Sequence, residues 1–341
     1  MKRLLNTLYI TNPDARLRKK DDAVSVVVDD ETKMSVPFHI LESIVLLGHV
    51  GCSTSLLAAC AERGVSVTLL DERGRFTARV EGRTTGNILL RREQYRMAGD
   101  AEGSLKLSRR FVMAKIHNAR AVLQRSARDY PAIEDTVRPA IEYLQQSKGE
   151  VSRAMSLNGL RGVEGDTAHA YFAVFPMLLR SENTEGLFLG RSRRPPKDPV
   201  NACLSFFYTL LARDISSACE SVGLDPQMGF LHSCRPGRES LALDLIEELR
   251  AFYVDRFVLS LFNRRQLARE DFRCETSGGV FFSDGAIKKA LSAWQKKKQE
   301  IVMHPFLKER VPYGLLPFVQ AQLLARYLRG DLNDYPAYLW R

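Results

Sequence analysis

The chain has 341 residues, enough for two domains and a substantial buried core. Its 45% hydrophobic and 26% charged residues are those of an ordinary globular protein, and no apolar run approaches the ~20 residues of a membrane span. Lys and Arg number 50 against 40 Asp and Glu, and the net charge of +10 leans toward a polyanionic partner. The first eighty-odd residues are patterned for strands. Leu4–Ile10 alternates into an Asn-Pro-Asp turn, and Ala23–Val28 and Lys33–Val36 flank a polar hairpin turn at Asp29–Thr32. Ile44–Leu47 is a short buried strand. Ser53 is placed to cap a helix over Leu56–Arg63 that ends at Gly64. Val65–Leu70 and Arg75–Val80 bracket a second hairpin turn at Asp71–Gly74.

Composition shifts at Glu81–Asn87, a linker, and the pattern then turns helical. The fold class expected is α+β: a β-rich domain over 1–82, a linker at 83–90, and an α-helical domain over 91–341. Helical segments are expected at Ile88–Met97, Leu105–Asp129, Val137–Gln146, Asp166–Leu179, Asn201–Val222, Val254–Asn263, Leu291–Glu300 and Leu315–Gly330. Leu105–Asp129 carries Lys106, Arg109, Arg110, Lys115, Arg120, Arg125 and Arg128. A second basic stretch, RSRRPPKDP, reads as a loop. Cys274–Asp284 reads as a hairpin, and Lys296-Lys297-Lys298 as a solvated helix end, with contact to phosphate as the alternative. The first ten residues are too short for a signal peptide, and the six cysteines contain no CxxC pair, which suits reduced thiols in a cytoplasm. No phosphate-cradling glycine loop appears, so ATP dependence is not expected.

The chemistry concentrates in Gly229–Arg250, GFLHSCRPGRESLALDLIEELR. At about 100° per residue, Leu241, Leu245 and Leu249 form one stripe, while Asp244, Glu247 and Glu248 fall within an arc of roughly 100° opposite. His232 lies twelve residues before Asp244, across a turn that can fold it back over the helix. One imidazole facing carboxylates suits a hard cation such as Mg²⁺ or Mn²⁺. The same acids opposite a leucine stripe also suit a plain surface helix, and a lone histidine in apolar company is more often a core residue. A further ligand is therefore needed. Glu164, between Gly162 and Gly165 at the expected mouth of a helix, supplies a carboxylate where the helix dipole favours one and where bare backbone allows close approach. His169 points about 140° away from it on the helical count.

Three stretches in this order and spacing, Gly162–Phe172 (GVEGDTAHAYF), Arg193–Leu211 (RRPPKDPVNACLSFFYTLL) and Gly229–Arg250, resemble the CRISPR-associated integrase family, the larger subunit of the spacer-capturing complex. The resemblance covers essentially the whole chain and implies a small N-terminal β-domain, used for dimerisation, joined to a helical catalytic domain. It implies metal ligation by Glu164, His232 and Glu247, with Asp244 the aspartate preceding the third ligand; the family varies at that position, so the division of work between Asp244 and Glu247 stays open. Asn201 and Tyr208 match the middle motif. Where many members have proline after the helix, this chain has Arg250-Ala251, which should alter the helix exit rather than the chemistry. The implied activity is metal-dependent joining of the 3′-hydroxyl ends of short DNA fragments into the repeat array, with cleavage as a related reaction. Arg193, Arg194 and Lys197, with Arg109 and Arg120 of the basic helix, would grip phosphates. The implied partners are double-stranded DNA with single-stranded 3′ ends, a second copy of the chain, and a small ferredoxin-like companion protein, with no membrane. Two alternatives stay open: a non-catalytic basic DNA-binding scaffold, and a metal hydrolase of small substrates.

Overall fold

A computed structural model describes residues 7–41, 43–71, 76–80, 82, 88–180, 186–276 and 278–340. Strands β1 (Thr7–Ile10), β2 (Arg16–Lys20), β3 (Ala23–Val28), β4 (Glu31–Pro37), β5 (Ser43–Leu47) and β6 (Gly51–Cys52) precede helix α1 (Thr54–Arg63), then β7 (Ser66–Leu70) and β8 (Phe76–Val80). They make two four-stranded sheets, ordered β1-β5-β7-β8 and β4-β3-β2-β6. In the first, β1, β5 and β7 run parallel and β8 is antiparallel. The β3–β4 hairpin forms where expected, with Asp29 and Asp30 at φ 52° and 60°, the left-handed pair that a two-residue hairpin turn requires. Ser53 caps α1 by accepting the Leu56 N–H, and Gly64, at φ 68°, ends it. β2 and β6 escape sequence detection because RLRKK does not alternate and a two-residue strand carries no period. Of the second hairpin turn, positions 72–74 lie outside the described residues, as do position 75 of the expected strand and all linker positions 81–87 except 82.

The helical part begins with α2 (Ile88–Gly99), inside the expected linker 83–90, and continues through α3 (Ala101–Asp129), α4 (Glu134–Arg153), α5 (Leu157–Val174), α6 (Pro199–Ser221), α7 (Ser240–Leu249) and α8 (Arg256–Asn263). Short strands β9 (Phe272–Cys274) and β10 (Val280–Phe282) stand where the late hairpin is expected; α9 (Asp284–Gln299), the antiparallel pair β11 (Ile301–Met303) and β12 (Arg310–Pro312), and α10 (Leu316–Leu328) complete the chain. The chain forms two compact units, Met1–Thr84 with Phe281–Glu300, and Thr85–Val280 with Ile301–Arg341. The α9 segment thus groups with the β-rich unit rather than with a helical body running from 91 to 341. Its face of Ala286, Ile287, Ala290, Leu291 and Trp294 is buried. The lysine run is correspondingly not a fully solvated end: Lys298 is buried, and Lys297 pairs with Glu300 at 2.7 Å. Among the described residues no helix is long and apolar enough to cross a membrane.

In the second unit α3, 29 residues long and capped by Asp100, packs along α4, α5 and α7, while α6 covers another side of α7. Helix α7 does not stop at Arg250. It passes through a π turn, Arg250–Asp255, straight into α8. Such a turn widens the helix by one residue and re-aims the side chains around it.

Candidate metal centre

Helix α7 is buried on both faces. Leu241, Leu245 and Leu249 are inside as expected, but so are Asp244 (0% exposed), Glu247 (5%) and Glu248 (0%). A plain surface helix is thereby ruled out, since a buried carboxylate persists only with partners that replace its water. The three acids find three different sets.

Asp244 is engaged on both oxygens. Oδ2 accepts the backbone N–H groups of Phe230 and Leu231 at 2.6 and 3.0 Å, and Oδ1 accepts that of His232 at 2.9 Å. Nδ1 of His232 lies 2.7 Å from the same Oδ1. A carboxylate only accepts, so Nδ1 carries the hydrogen and Nε2 is left for another partner. The loop can close this tightly because position 229 has no side chain; a Cβ there would lie 2.7 Å from the Ser240 carbonyl carbon and 2.9 Å from Asp244 Oδ2. Arg161 of α5 fixes the loop from the other side, donating through Nε and Nη2 to the Leu231 carbonyl at 2.9 and 2.6 Å.

Glu248 faces away, toward the chain's last residues. Its side chain accepts the Tyr338 N–H at 2.6 Å and Gln320 Nε2 at 3.0 Å, with Tyr335 also donating. Burial pushes its carboxyl up to about 7 despite those bonds. Asn118 of α3 ties the same strap, donating to the carbonyls of Glu248 and Tyr338 and accepting the Trp340 N–H.

Glu247 faces cations. Arg250 donates to its Oε1 at 2.7 Å, and Nζ of Lys115 stands 2.6 Å from its Oε2. Burial opposes ionisation, yet Arg250, Lys115 and His232 together hold its carboxyl well below the usual range. The same Lys115 ammonium pairs with Oε1 of Glu164. Glu164 and Glu247, 83 residues apart, therefore flank one cationic position. Behind them Arg250 lies 4.4 Å from the Tyr208 ring, and Tyr208 donates to Asp255 on the π turn. Burial raises Asp255 to about 6 against the pull of Arg250. Tyr208 of the middle motif thus supports the arginine that holds Glu247.

The surroundings of Glu164 differ from expectation. Ser156 caps α5, accepting from Gly159 N–H at 3.1 Å, so Glu164 sits in the helix interior rather than at its mouth, beyond the reach of the dipole's first turn. Gly162 and Gly165 do not serve close chain packing either: a Cβ at either would meet nothing within 4 Å. They leave open space on both sides of a carboxylate whose side chain is 27% exposed, against 6% for Glu247. The centre opens at Glu164.

Lys115 is the residue that sequence reading missed. It counts there as one of seven helix cations, yet it projects from the apolar stripe of α3, between Phe111 and Val112 on one turn and Ala119 on the next. That placement, a lysine at core period, is the signal that marks it. Arg109 is half-buried and donates to the Ala154 carbonyl at 2.6 Å; Arg120 is half-buried too, and Arg110 pairs with Asp334. The seven cations therefore do not form one exposed stripe. Arg193, Arg194 and Lys197 are exposed, on a loop held by Asn201. Its side chain donates to the Gly190 carbonyl and Asp198 and accepts from Ser192 N–H and Arg191.

The residues fit a divalent cation. Oε2 of Glu247 is buried without a directed hydrogen bond, and an ammonium already lies against both carboxylates. Among the described residues, however, no three His, Cys, Asp or Glu side chains stand grouped closely enough to hold a metal as they are.

Residues 8–296 match the family model described as CRISPR associated protein Cas1. The chain is 49% identical to "CRISPR-associated endonuclease Cas1 2" of Rhodospirillum rubrum and 47% identical to "CRISPR-associated endonuclease Cas1 1" of Chlorobaculum tepidum, covering 100% of this chain and of each relative. Its fold matches a solved casposase bound to integration product with a TM-score of 0.84 at 23% identity, over 98% of this chain and 94% of that one. The β-rich front, the helical body and full-length identity near one half all lead to one assignment: this protein belongs to the Cas1 family of CRISPR-associated proteins.

Proposed function

We propose that this protein is a metal-dependent DNA endonuclease and integrase of CRISPR adaptation, joining 3′-hydroxyl ends of short DNA fragments into the repeat array. The observation that carries the reading is the pairing of Glu164 and Glu247, from separate helices, with one ammonium, that of Lys115. The names of the two relatives, both endonucleases, support the activity, and the casposase neighbour's integration product supports DNA joining on this fold.

Glu164, Glu247 and Nε2 of His232 would hold Mg²⁺ or Mn²⁺. Such an ion, when bound, polarises phosphoryl oxygens and makes a hydroxyl or water more acidic. The chain's own residues do the rest. Asp244 keeps the His232 ring in one tautomer and orientation, while Arg250, braced on Tyr208, fixes the Glu247 carboxylate. The open flank at Glu164 admits the phosphodiester, and Arg193, Arg194 and Lys197 hold its neighbouring phosphates through sequence-independent contacts. With a DNA hydroxyl as the attacking group, strands are joined; with water, they are cut. A second copy of the chain and a small ferredoxin-like companion complete the proposed assembly.

The test is a purified Glu164→Ala variant on duplex DNA with 3′ overhangs and a repeat-containing target. Both cutting and joining in Mg²⁺ or Mn²⁺ should disappear while the DNA dissociation constant stays within a few-fold of the parent. Retained products, or products formed equally in EDTA, would overturn the reading.

A further inference from the structure

Resting on that metal-site reading, we propose that Lys115 is a built-in counter-cation: its ammonium holds the Glu164–Glu247 pair together in the metal-free protein and is displaced from both carboxylates when the divalent ion binds. Lys115 is 8% exposed, and its Nζ pairs with Oε2 of Glu247 at 2.6 Å and with Glu164. Two carboxylates held this near one point, one of them nearly buried, repel unless a positive charge sits between them. The ammonium supplies that charge, and in doing so takes the position that both acids would offer to a metal.

Ammonium and divalent ion cannot share the position. A cation a few ångströms from a doubly charged ion in a partly buried site costs several kcal/mol, while the metal gains direct bonds to the oxygens that Lys115 releases. The surroundings allow the exchange. The exposed flank of Glu164, whose side chain is 27% exposed, gives the amine a route to solvent. The protein would then keep a folded, neutralised centre without metal and bind the ion in competition with its own lysine.

The experiment titrates the metal-free, full-length protein with Mn²⁺ by calorimetry, comparing the parent with Lys115→Met and Glu164→Ala. Lys115→Met should bind Mn²⁺ roughly tenfold or more tightly, within the usual range for two coupled sites. Its metal-free unfolding midpoint should fall, and the rise of that midpoint on adding Mn²⁺ should grow. Unchanged or weaker Mn²⁺ binding by Lys115→Met overturns the counter-cation. If the parent binds no Mn²⁺, or Glu164→Ala binds it equally well, the metal centre itself is overturned, and the counter-cation with it. The parent alone provides a second measurement should Lys115→Met fail to fold. Mn²⁺ should raise acylation of Lys115 by an amine-reactive reagent several-fold relative to exposed Lys106, and equal labelling with and without the ion overturns the displacement.

Discussion

At the scale of single residues, the acids of α7 show how one helical turn assigns different work to like side chains. Asp244 accepts from four N–H groups, Glu248 from the C-terminal strap, and Glu247 faces Lys115 and Arg250. Asp244→Asn should therefore cost stability even though its shape is conserved. Its amide would turn N–H toward N–H, leaving buried donors unmatched at a cost of about 2–4 kcal/mol. Equilibrium denaturation measures that loss. The His232 ring would lose its fixed tautomer as well, so metal-dependent cleavage should fall further than DNA binding does. An Asn variant with parent-like stability and activity would show that Asp244 does not position His232.

At the scale of elements, the C-terminal strap and the basic loop each depend on one buried anchor. The strap depends on Glu248, whose carboxyl burial raises to about 7. A folded-state value above the unfolded one means that this group's stabilisation is complete below about pH 4.5 and is lost as the pH climbs through about 7. Glu248→Gln keeps the shape, supplies a neutral acceptor for the Tyr338 N–H, and removes this titration. Parent stability should decline from pH 5 to 8 relative to the variant by up to about 3 kcal/mol, read from urea midpoints across that range. Parallel pH profiles would remove Glu248 from the account. Sequence period found most of these elements, because hydrophobic stripes and caps are local: Ser53 and Gly64 bound α1 as their residue types require. It misplaced the start of α5, where Ser156 was the cap and the glycines around Glu164 disguised a helix interior. It also separated two helices that a π turn joins, since an inserted residue breaks the very period being counted.

At the scale of the whole molecule, a net charge of +10 is a statement about affinity for polyanions and not about which cations touch them. Arg193, Arg194 and Lys197 are exposed on an anchored loop, whereas Arg109 is tied to a backbone carbonyl and Lys115 is internal. Replacing the three loop residues by alanine should lower the slope of log affinity against log salt by about 0.9 for every phosphate that the loop neutralises. Fluorescence anisotropy over a salt series measures this, and the weakening should be the same for unrelated DNA sequences. An unchanged slope would take the loop out of the DNA path.

The sequence by itself determined the β-then-α order, most helix spans, and Glu164, His232 and the acid cluster Asp244, Glu247 and Glu248 as residues to watch, because residue type and spacing act along the chain. It could not rank Asp244, Glu247 and Glu248, which differ by no more than about 100° on a helical wheel. Only the tertiary structure decided their roles, since a buried carboxylate is defined by the partners packed against it. Those partners, the 230–232 loop, Lys115, Gln320 and the chain's last residues, come from the segment before α7, from α3, from α10 and from the C-terminal segment. Lys115 is the extreme case: one more positive charge in the sequence, and in the fold a buried ammonium paired with both Glu164 and Glu247.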